Sequence, residues 1–474
     1  MGQTTLNIHP SAGQGGPTPP PPKDLYAKRL QIYPKLAHGR FRLVKWVVMA
    51  ATLAVYYLLP WLRWDRGMGI TNQEVLADFQ REKFYFFFNE IWPQDNHFLA
   101  GLLILAALGL FLITSLLGRV WCGYTCPQTV WTDLYIWVER AFEGDRAARM
   151  RLDHAPWSFN KAWRKLGKHT VWLVIAFWTG GVFILYWHDA PTVAQGWFTG
   201  AAPLSAYWFA GILPLTTYFL AGWMREQVCT YMCPWPRIQG ALTDEHALNV
   251  TYRYDRGEPR GPKRKSESWD KRGDCIDCDQ CVQVCPVGID IRNGSQLECI
   301  QCALCIDACD EMMTKIGRPT GLIAYDTDIA VAARAAHQTP PKFRILRSRI
   351  ILYTLLIAGI GGLMVWGLAT KATIEANVLK DRSPPYVQLS NGRIQNGYTL
   401  KLVNKVSEPR MMQVSITGIE GLTFAVVGFE HADDSPIDLP VEAFGVDRYR
   451  ILVSAPEGAG QRQISISVHD IETG

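Results

Sequence analysis

The sequence predicts an α-helical membrane protein with five transmembrane helices, a cysteine-rich insertion and a C-terminal all-β sandwich. Three observations predict it: five long uncharged apolar stretches, eight cysteines packed between Cys275 and Cys309, and alternating apolar positions from residue 376 onward. The 474-residue chain is 48% hydrophobic with 18 Trp and 18 Tyr, rich for a soluble protein, and its apolar residues come in blocks. A formal net charge of +5 is too small to argue for a nucleic-acid partner.

Residues 1–40 open with a polar, Pro-rich stretch that lacks the charged-then-apolar pattern of a signal peptide. They are expected to form a disordered cytoplasmic tail. A bilayer core of about 30 Å needs roughly 20 apolar residues as a helix. Stretches 45–62, 97–117, 170–188, 204–223 and 351–370 meet that need, the first with Trp46, Trp61 and Trp64 at its ends, where the interface favours Trp. Buried helices of a soluble core would not give five such runs edged by Trp, Tyr and Arg.

Lys and Arg in the connecting segments set the orientation. Lys35, Arg40 and Arg42 precede the first span, basic residues run from Arg119 to Lys168 between the second and third, and 189–203 contains none. With five spans every basic segment falls on one side. The N-terminus, 118–169 and 224–350 are therefore expected in the cytoplasm and 372–474 outside; an even number of spans breaks this agreement. The expected domains are the tail 1–40, a membrane domain 41–250 with four spans, a linker and cysteine-rich domain 251–345, the fifth span 346–372 and the sandwich 373–474.

All twelve cysteines lie between residues 122 and 309, in three groups, which reads as metal ligation rather than a disulfide framework. Cys275, Cys278, Cys281 and Cys285, followed by Pro286, have the C-x2-C-x2-C-x3-C-P spacing of a two-cluster ferredoxin, and Cys299, Cys302, Cys305 and Cys309 repeat it. In this spacing the fourth cysteine of each run ligates the other cluster. Cys275, Cys278, Cys281 and Cys309 are assigned to one 4Fe–4S cluster, and Cys285, Cys299, Cys302 and Cys305 to the second. Zinc also uses C-x2-C pairs but has no use for this longer run occurring twice. Asp310 stands where Pro is usual, which alters no ligand.

The second and fourth spans each end in Cys-x-Tyr-x-Cys-Pro with an upstream Arg: Arg119, Cys122, Tyr124, Cys126 and Pro127, then Arg225, Cys229, Tyr231, Cys233 and Pro234. This is a diverged internal repeat. On a helix the i, i+4 spacing puts both sulfurs on one face, and Pro opens the next helix. The repeat would bring four thiols together at the cytoplasmic membrane surface, with Arg119 and Arg225 favouring thiolates. Soft thiolates select copper(I), zinc or iron–sulfur. Inert buried cysteines and a reversible disulfide relay remain alternatives. Met224 and Met232 read as packing residues rather than ligands.

The segment 127–151 reads as an amphipathic helix on the membrane, with Trp131, Leu134, Tyr135, Val138 and Phe142 on one side. Residues 255–265 read as a charged linker. His97 and His188 read as helix-end residues, since no ligand spacing accompanies them. Tyr398-Leu400-Leu402, Tyr449-Ile451-Val453 and Ile464-Ile466-Val468 alternate as strands of the sandwich, expected to dock an external partner or a second copy.

Two Cys-x-Tyr-x-Cys-Pro hairpins, an eight-cysteine ferredoxin segment and a C-terminal sandwich resemble the FixG/RdxA/CcoG family, as do Trp92-Pro93-Gln94-Asp95 and Arg256-Gly257-Glu258-Pro259-Arg260-Gly261. The resemblance implies an immunoglobulin-like C-terminal domain and the inner membrane of a Gram-negative bacterium. It also implies reduction of copper(II) to copper(I) for assembly of cbb-type cytochrome c oxidase. Cys122, Cys126, Cys229 and Cys233 inherit a catalytic, copper-binding role by that resemblance. The implied partners are a cytoplasmic electron donor, a copper chaperone and oxidase assembly factors. Two alternatives stand beside the reductase: a quinol-linked electron conduit, and a non-catalytic copper-handling or redox-sensing scaffold.

Overall fold

The computed structural model describes residues 31–65, 71–79, 82–87, 89–263, 268–270, 272–406, 408–429, 435–456 and 462–471. The expected tail lies outside the described residues up to position 30. Helix α1 (Arg40–Leu58) is followed by a small antiparallel sheet, β1 (Val75–Asp78), β2 (Lys83–Phe86) and β3 (Asn89–Ile91), which the sequence reading did not anticipate. Then come α2 (Asn96–Leu117), α3 (Val120–Tyr124), α4 (Pro127–Glu143), α5 (Arg146–His154), α6 (Phe159–Ile184), α7 (Ala190–Thr199), α8 (Leu204–Thr217) and α9 (Trp235–Leu242). Pro127 occupies the first turn of α4, where its missing N–H leaves no bond unmade. Helix α8 continues into a π-helical stretch, Tyr218–Met224.

Among the described residues four helices are long and apolar enough to cross a membrane: Arg40–Trp61, Asn96–Leu117, Leu204–Met224 and Ser348–Ala369. The expected span 170–188 is instead the second half of α6. That helix starts earlier, in a segment carrying Lys161, Arg164, Lys165 and Lys168, and ends at Ile184, so its uncharged part falls short of the roughly 20 residues needed. Helix α6 packs along α8, where Gly180 lets the Pro214 ring approach: a Cβ there would lie 2.6 Å from it.

Helix α4 differs from the surface helix expected. Tyr135 and Val138 are buried as foreseen, but so is the polar side: Asp133 pairs with Arg42 at 2.8 Å, Glu139 with Arg149 at 2.8 Å and Glu143 with Lys168 at 2.8 Å. Periodicity showed an apolar stripe; it could not show that three neighbouring elements supply cations to the other face.

The cysteine-rich domain follows: β4 (Asn249–Tyr252), α10 (Tyr254–Gly257), α11 (Gln280–Val284), α12 (Leu304–Lys315), β5 (Ile323–Asp326) and α13 (Asp328–Ala335), with β4 and β5 paired. The described part of segment 255–265 is not a free linker. Arg256 bridges to Asp274 at 2.8 Å and donates to the Thr320 carbonyl at 3.0 Å, folding the segment onto this domain.

Helix α14 (Ser348–Ala369) leads to the sandwich, built of β6 (Ile374–Lys380), β7 (Val387–Gln388), β8 (Ile394–Asn404), β9 (Arg410–Thr417), β10 (Thr423–Val426), β11 (Ile437–Val441), β12 (Val446–Ala455) and β13 (Ser465–Asp470). One sheet runs β10-β12-β8-β6 with β7 also on β8; the other runs β11-β9-β13. Leu400, Leu402, Met412, Val414, Leu439 and Ile451 fill the space between them. The sandwich sits against the start of α2: Asp95 takes Lys371 at 2.7 Å and Lys405 at 3.4 Å, and the Lys83 ammonium lies 3.6 Å above the Trp92 ring. The cysteine-rich domain sits at the opposite end of these helices.

Candidate metal centres

Cys275, Cys278, Cys281 and Cys309 line one cavity together with Tyr252, Met313, Leu322 and Ile323. Cys285, Cys299, Cys302 and Cys305 line a second with Val250, Ile289 and Ile300, and Cys281 stands on the wall the two share. The fourth cysteine of each run thus faces the cavity of the other. Asp277, Asp279, Gln301 and Ala303 all have φ between 54° and 60°. Alternating left-handed residues of this kind curl the backbone into an anion-accepting nest. Four soft sulfurs around a dry, apolar cavity fit an iron–sulfur cluster. Among the described residues no three His, Cys, Asp or Glu side chains close tightly enough for a single metal ion.

The two nests have opposite surroundings. In the first, the side chains of Asp277 and Asp279 are 42% and 58% exposed and share Arg292 at 2.5 and 2.6 Å. The equivalent positions of the second, Gln301 and Ala303, are 8% and 1% exposed. Gln301 accepts from the Arg119 N–H at 2.7 Å and donates to Asn249 Oδ1 at 2.6 Å. Gly118 (φ 59°) makes this fit, since a Cβ there would meet Asn249 Oδ1 at 2.2 Å. The Arg119 guanidinium reaches the Leu297 carbonyl, that of Pro236 at 3.0 Å and that of Cys299 at 3.4 Å. Asp307, on α12, accepts from the Phe41 and Arg42 N–H groups at 3.2 and 2.7 Å and so caps α1.

The four remaining thiols gather beside the second nest. Cys122 lies in α3, Cys126 caps α4, Cys229 lies in a π turn (Val228–Met232), and Cys233 follows it, exposed. Cys122 and Cys229 pack against Val287, Ile300 and Cys302. Burial, then Cys126 and Cys229, push the Cys122 thiol up to about 12, with Arg119 opposing. Burial, then Cys126 and Cys233, likewise raise Cys229 to about 12, opposed by Lys45. The expected help from two arginines is thus corrected. Arg119 acts in the expected sense but is outweighed, and Arg225 turns away to the Gly222 carbonyl at 2.8 Å and Glu139 at 3.0 Å.

The two hairpins are not equivalent. Gly123 abuts the second nest so closely that a Cβ would lie 2.8 Å from the Ile300 carbonyl oxygen and 3.0 Å from Cys302 backbone atoms. Tyr124, buried, donates to the Cys302 carbonyl at 3.2 Å, whereas its counterpart Tyr231 is 72% exposed. Gln239, fully buried, accepts from the Cys122 thiol at 3.2 Å. Gln239, Gln301, Asn249 and Asp307 were missed from sequence because each acts on a partner distant in the chain and belongs to no local spacing. Met232 is exposed and so is not the packing residue expected, although its exposure fits the lipid-facing alternative. His97 lies against Phe98 and His188 reaches Ser205 at 3.5 Å.

Three segments of the chain match known families. Residues 224–328 match a family described as a 4Fe-4S dicluster domain, 99–143 a 4Fe-4S binding domain, and 364–474 the IG-like fold at the C-terminal of FixG. The chain is 48% identical over 461 residues to nitrogen fixation protein FixG of Rhizobium meliloti, covering 92% of this chain and 88% of that one. It is 47% identical over 437 residues to protein RdxA of Cereibacter sphaeroides, covering 92% and 91%, and 49% identical over 407 residues to its protein RdxB, covering 85% of each. A crystal structure of a FixG-related protein from Vibrio parahaemolyticus aligns over 21% of this chain and 85% of its own, at 20% identity and a TM-score of 0.17. Identity near one half over almost the whole length, together with the FixG-type C-terminal domain, makes this chain a member of the FixG/RdxA family, a 4Fe–4S electron-transfer protein with apolar helices of membrane-spanning length.

Proposed function

We propose that this protein is a membrane-bound cupric reductase serving the assembly of cbb-type cytochrome c oxidase. The observation that carries the reading is the contact of Gly123 with Cys302, together with the packing of Cys122 and Cys229 on the apolar cluster to which Cys302 belongs. The two clusters supply one-electron transfer. Cys275, Cys278, Cys281 and Cys309 hold one and Cys285, Cys299, Cys302 and Cys305 the other. Copper(II), as substrate, would draw together hairpin thiols that do not enclose a single ion as they stand, and their softness would favour copper(I) and so draw the electron across. Thiolate ligation by Cys122 and Cys229 displaces their protons, so copper binding releases protons. In this reading the fifth span is the uncharged part of α6 extended by the hydrogen-bonded turns at 185–188, the ferredoxin faces the cytoplasm where a donor protein docks, and the sandwich faces the periplasm, where it meets oxidase assembly factors or a second copy. A chaperone collects the copper(I).

The test is stopped-flow mixing of anaerobic, reduced protein with copper(II), following cluster absorbance and copper(I) trapped by a chromophoric chelator. Clusters that keep their electrons sink the proposal. A second reading has its own support: the 4Fe-4S family matched at 99–143 contains only Cys122 and Cys126 among its cysteines. On that reading Cys229 and Cys233 complete a third cluster. Iron analysis separates the two, at about eight atoms per chain for two cubanes and about twelve for three.

A further inference from the structure

The repeated ferredoxin runs have the same backbone and opposite environments, and this asymmetry orders the electron path. We infer that electrons enter through the nest of Cys275, Cys278, Cys281 and Cys309 and leave through that of Cys285, Cys299, Cys302 and Cys305, with Gly123 as the positioning residue of the last transfer. The inference deepens the reductase reading and rests on it for the destination of the electron.

The first nest presents its inter-cysteine loop to solvent, through Asp277 and Asp279. The same loop of the second nest is roofed by the membrane-helix unit: Arg119 and Asn249 on Gln301, Tyr124 on the Cys302 carbonyl, Gly123 against the Cys302 backbone. A soluble donor reaches the first loop and is shut out from the second. Cys122 and Cys229, in turn, pack on the apolar cluster that holds Cys302 and takes Cys285 and Cys305 at its edge, whereas Cys275 and Cys309 lie in the cluster around β4 and β5, on which neither hairpin thiol packs among the described residues. The first hairpin has Gly at the contact; the second has Thr230 at that place, its hydroxyl donating to the Glu226 carbonyl at 2.9 Å.

The electrons balance singly. Cys285, Cys299, Cys302 and Cys305 would hold the group that gives up one electron for each copper(II) reduced to copper(I), and Cys275, Cys278, Cys281 and Cys309 the group that returns it, replenished in turn by an external one-electron reductant. No proton or bond moves between the clusters.

The experiment uses the full chain loaded with iron and sulfide, with reduced methyl viologen as donor and copper(II) as acceptor. Gly123→Ala is expected to keep its iron content, both midpoint potentials and the rate of reduction by viologen, but to reoxidise several-fold more slowly as the added Cβ pushes the hairpin away from the Cys302 backbone. Unchanged reoxidation, or slowed reduction, overturns the role of Gly123. Because a Cβ at this contact can disturb folding, a second measurement uses the unaltered chain and no copper. A water-soluble dysprosium chelate should quicken the electron-spin relaxation of one cluster, the one whose signal Cys278→Ser alters, and leave the other unaffected. An equal effect on both, or an effect on the other alone, overturns the order. That result is independent of whether copper is the acceptor.

Discussion

The Glu139 carboxylate stands 3.0 Å from the Arg225 guanidinium, in a buried group that also takes Arg149 at 2.8 Å and Lys168 at 3.3 Å. One carboxylate of α4 therefore ties together α5, α6 and the end of the fourth apolar segment. Burial pushes this carboxyl up, and Arg225, Lys168 and Arg149 more than reverse the effect, holding it down to about 2. A depressed folded-state value means that its contribution is complete above the ordinary value of 4.5 and is lost as pH falls from there to about 2. Glu139→Gln should lower stability at neutral pH by about 3 kcal/mol, because Arg149 and Arg225 lose their ionic partner while Lys168 keeps Glu143 at 2.8 Å. Thermal unfolding in detergent should also show the variant less pH-sensitive than the parent between pH 4.5 and 2.

Asp307→Ala removes the cap from α1 and should cost about 1–2 kcal/mol. Asp307→Asn keeps one acceptor oxygen and should cost less. Unfolding followed at the cluster absorbance checks both, since Asp307 lies between Cys305 and Cys309.

Arg119→Ala leaves the carbonyls of Leu297, Pro236 and Cys299 without their donor. A buried polar group stranded this way costs about 1–3 kcal/mol. Limited proteolysis should cut the 249–335 segment faster in this variant, and Arg119→Lys should recover only part of the loss, because a single ammonium cannot span the carbonyls a guanidinium fork reaches.

At the other end, Asp95→Ala strips Lys371 and Lys405 of a shared carboxylate that is itself 5% exposed. Stability should fall by about 3 kcal/mol, and protease should reach the junction near residues 370–374 sooner. Reduction of the clusters by viologen should proceed at the parent rate.

Much of this architecture was written in short-range spacing. The cysteine runs prescribed two nests, Pro127 marked the start of α4, and alternation placed strands at Leu400, Ile451 and Ile466, because each of these rules needs only neighbours in the chain. What spacing could not carry was who meets whom. The polar side of α4 looked solvated until Arg42, Arg149 and Lys168 arrived from other elements. Arg225 looked like a partner for Cys229 until Glu139 claimed it. The third apolar stretch looked complete until α6 proved to begin among lysines. The hairpins read as twins by their shared Tyr and Pro, yet Gly123 and Thr230 already differed at the one position where a backbone must approach.

The cap on α1 has a consequence in time. Asp307 is made 265 residues after Arg42, and at about 5–20 residues per second the ribosome needs roughly 13–53 s to reach it. Throughout that interval the first helix has its amino end unsealed while the remaining chain threads into place. The carboxylate that seals it stands on the same helix as Cys305 and Cys309, so the first segment synthesised is among the last to be locked, and the lock closes when the cluster domain folds.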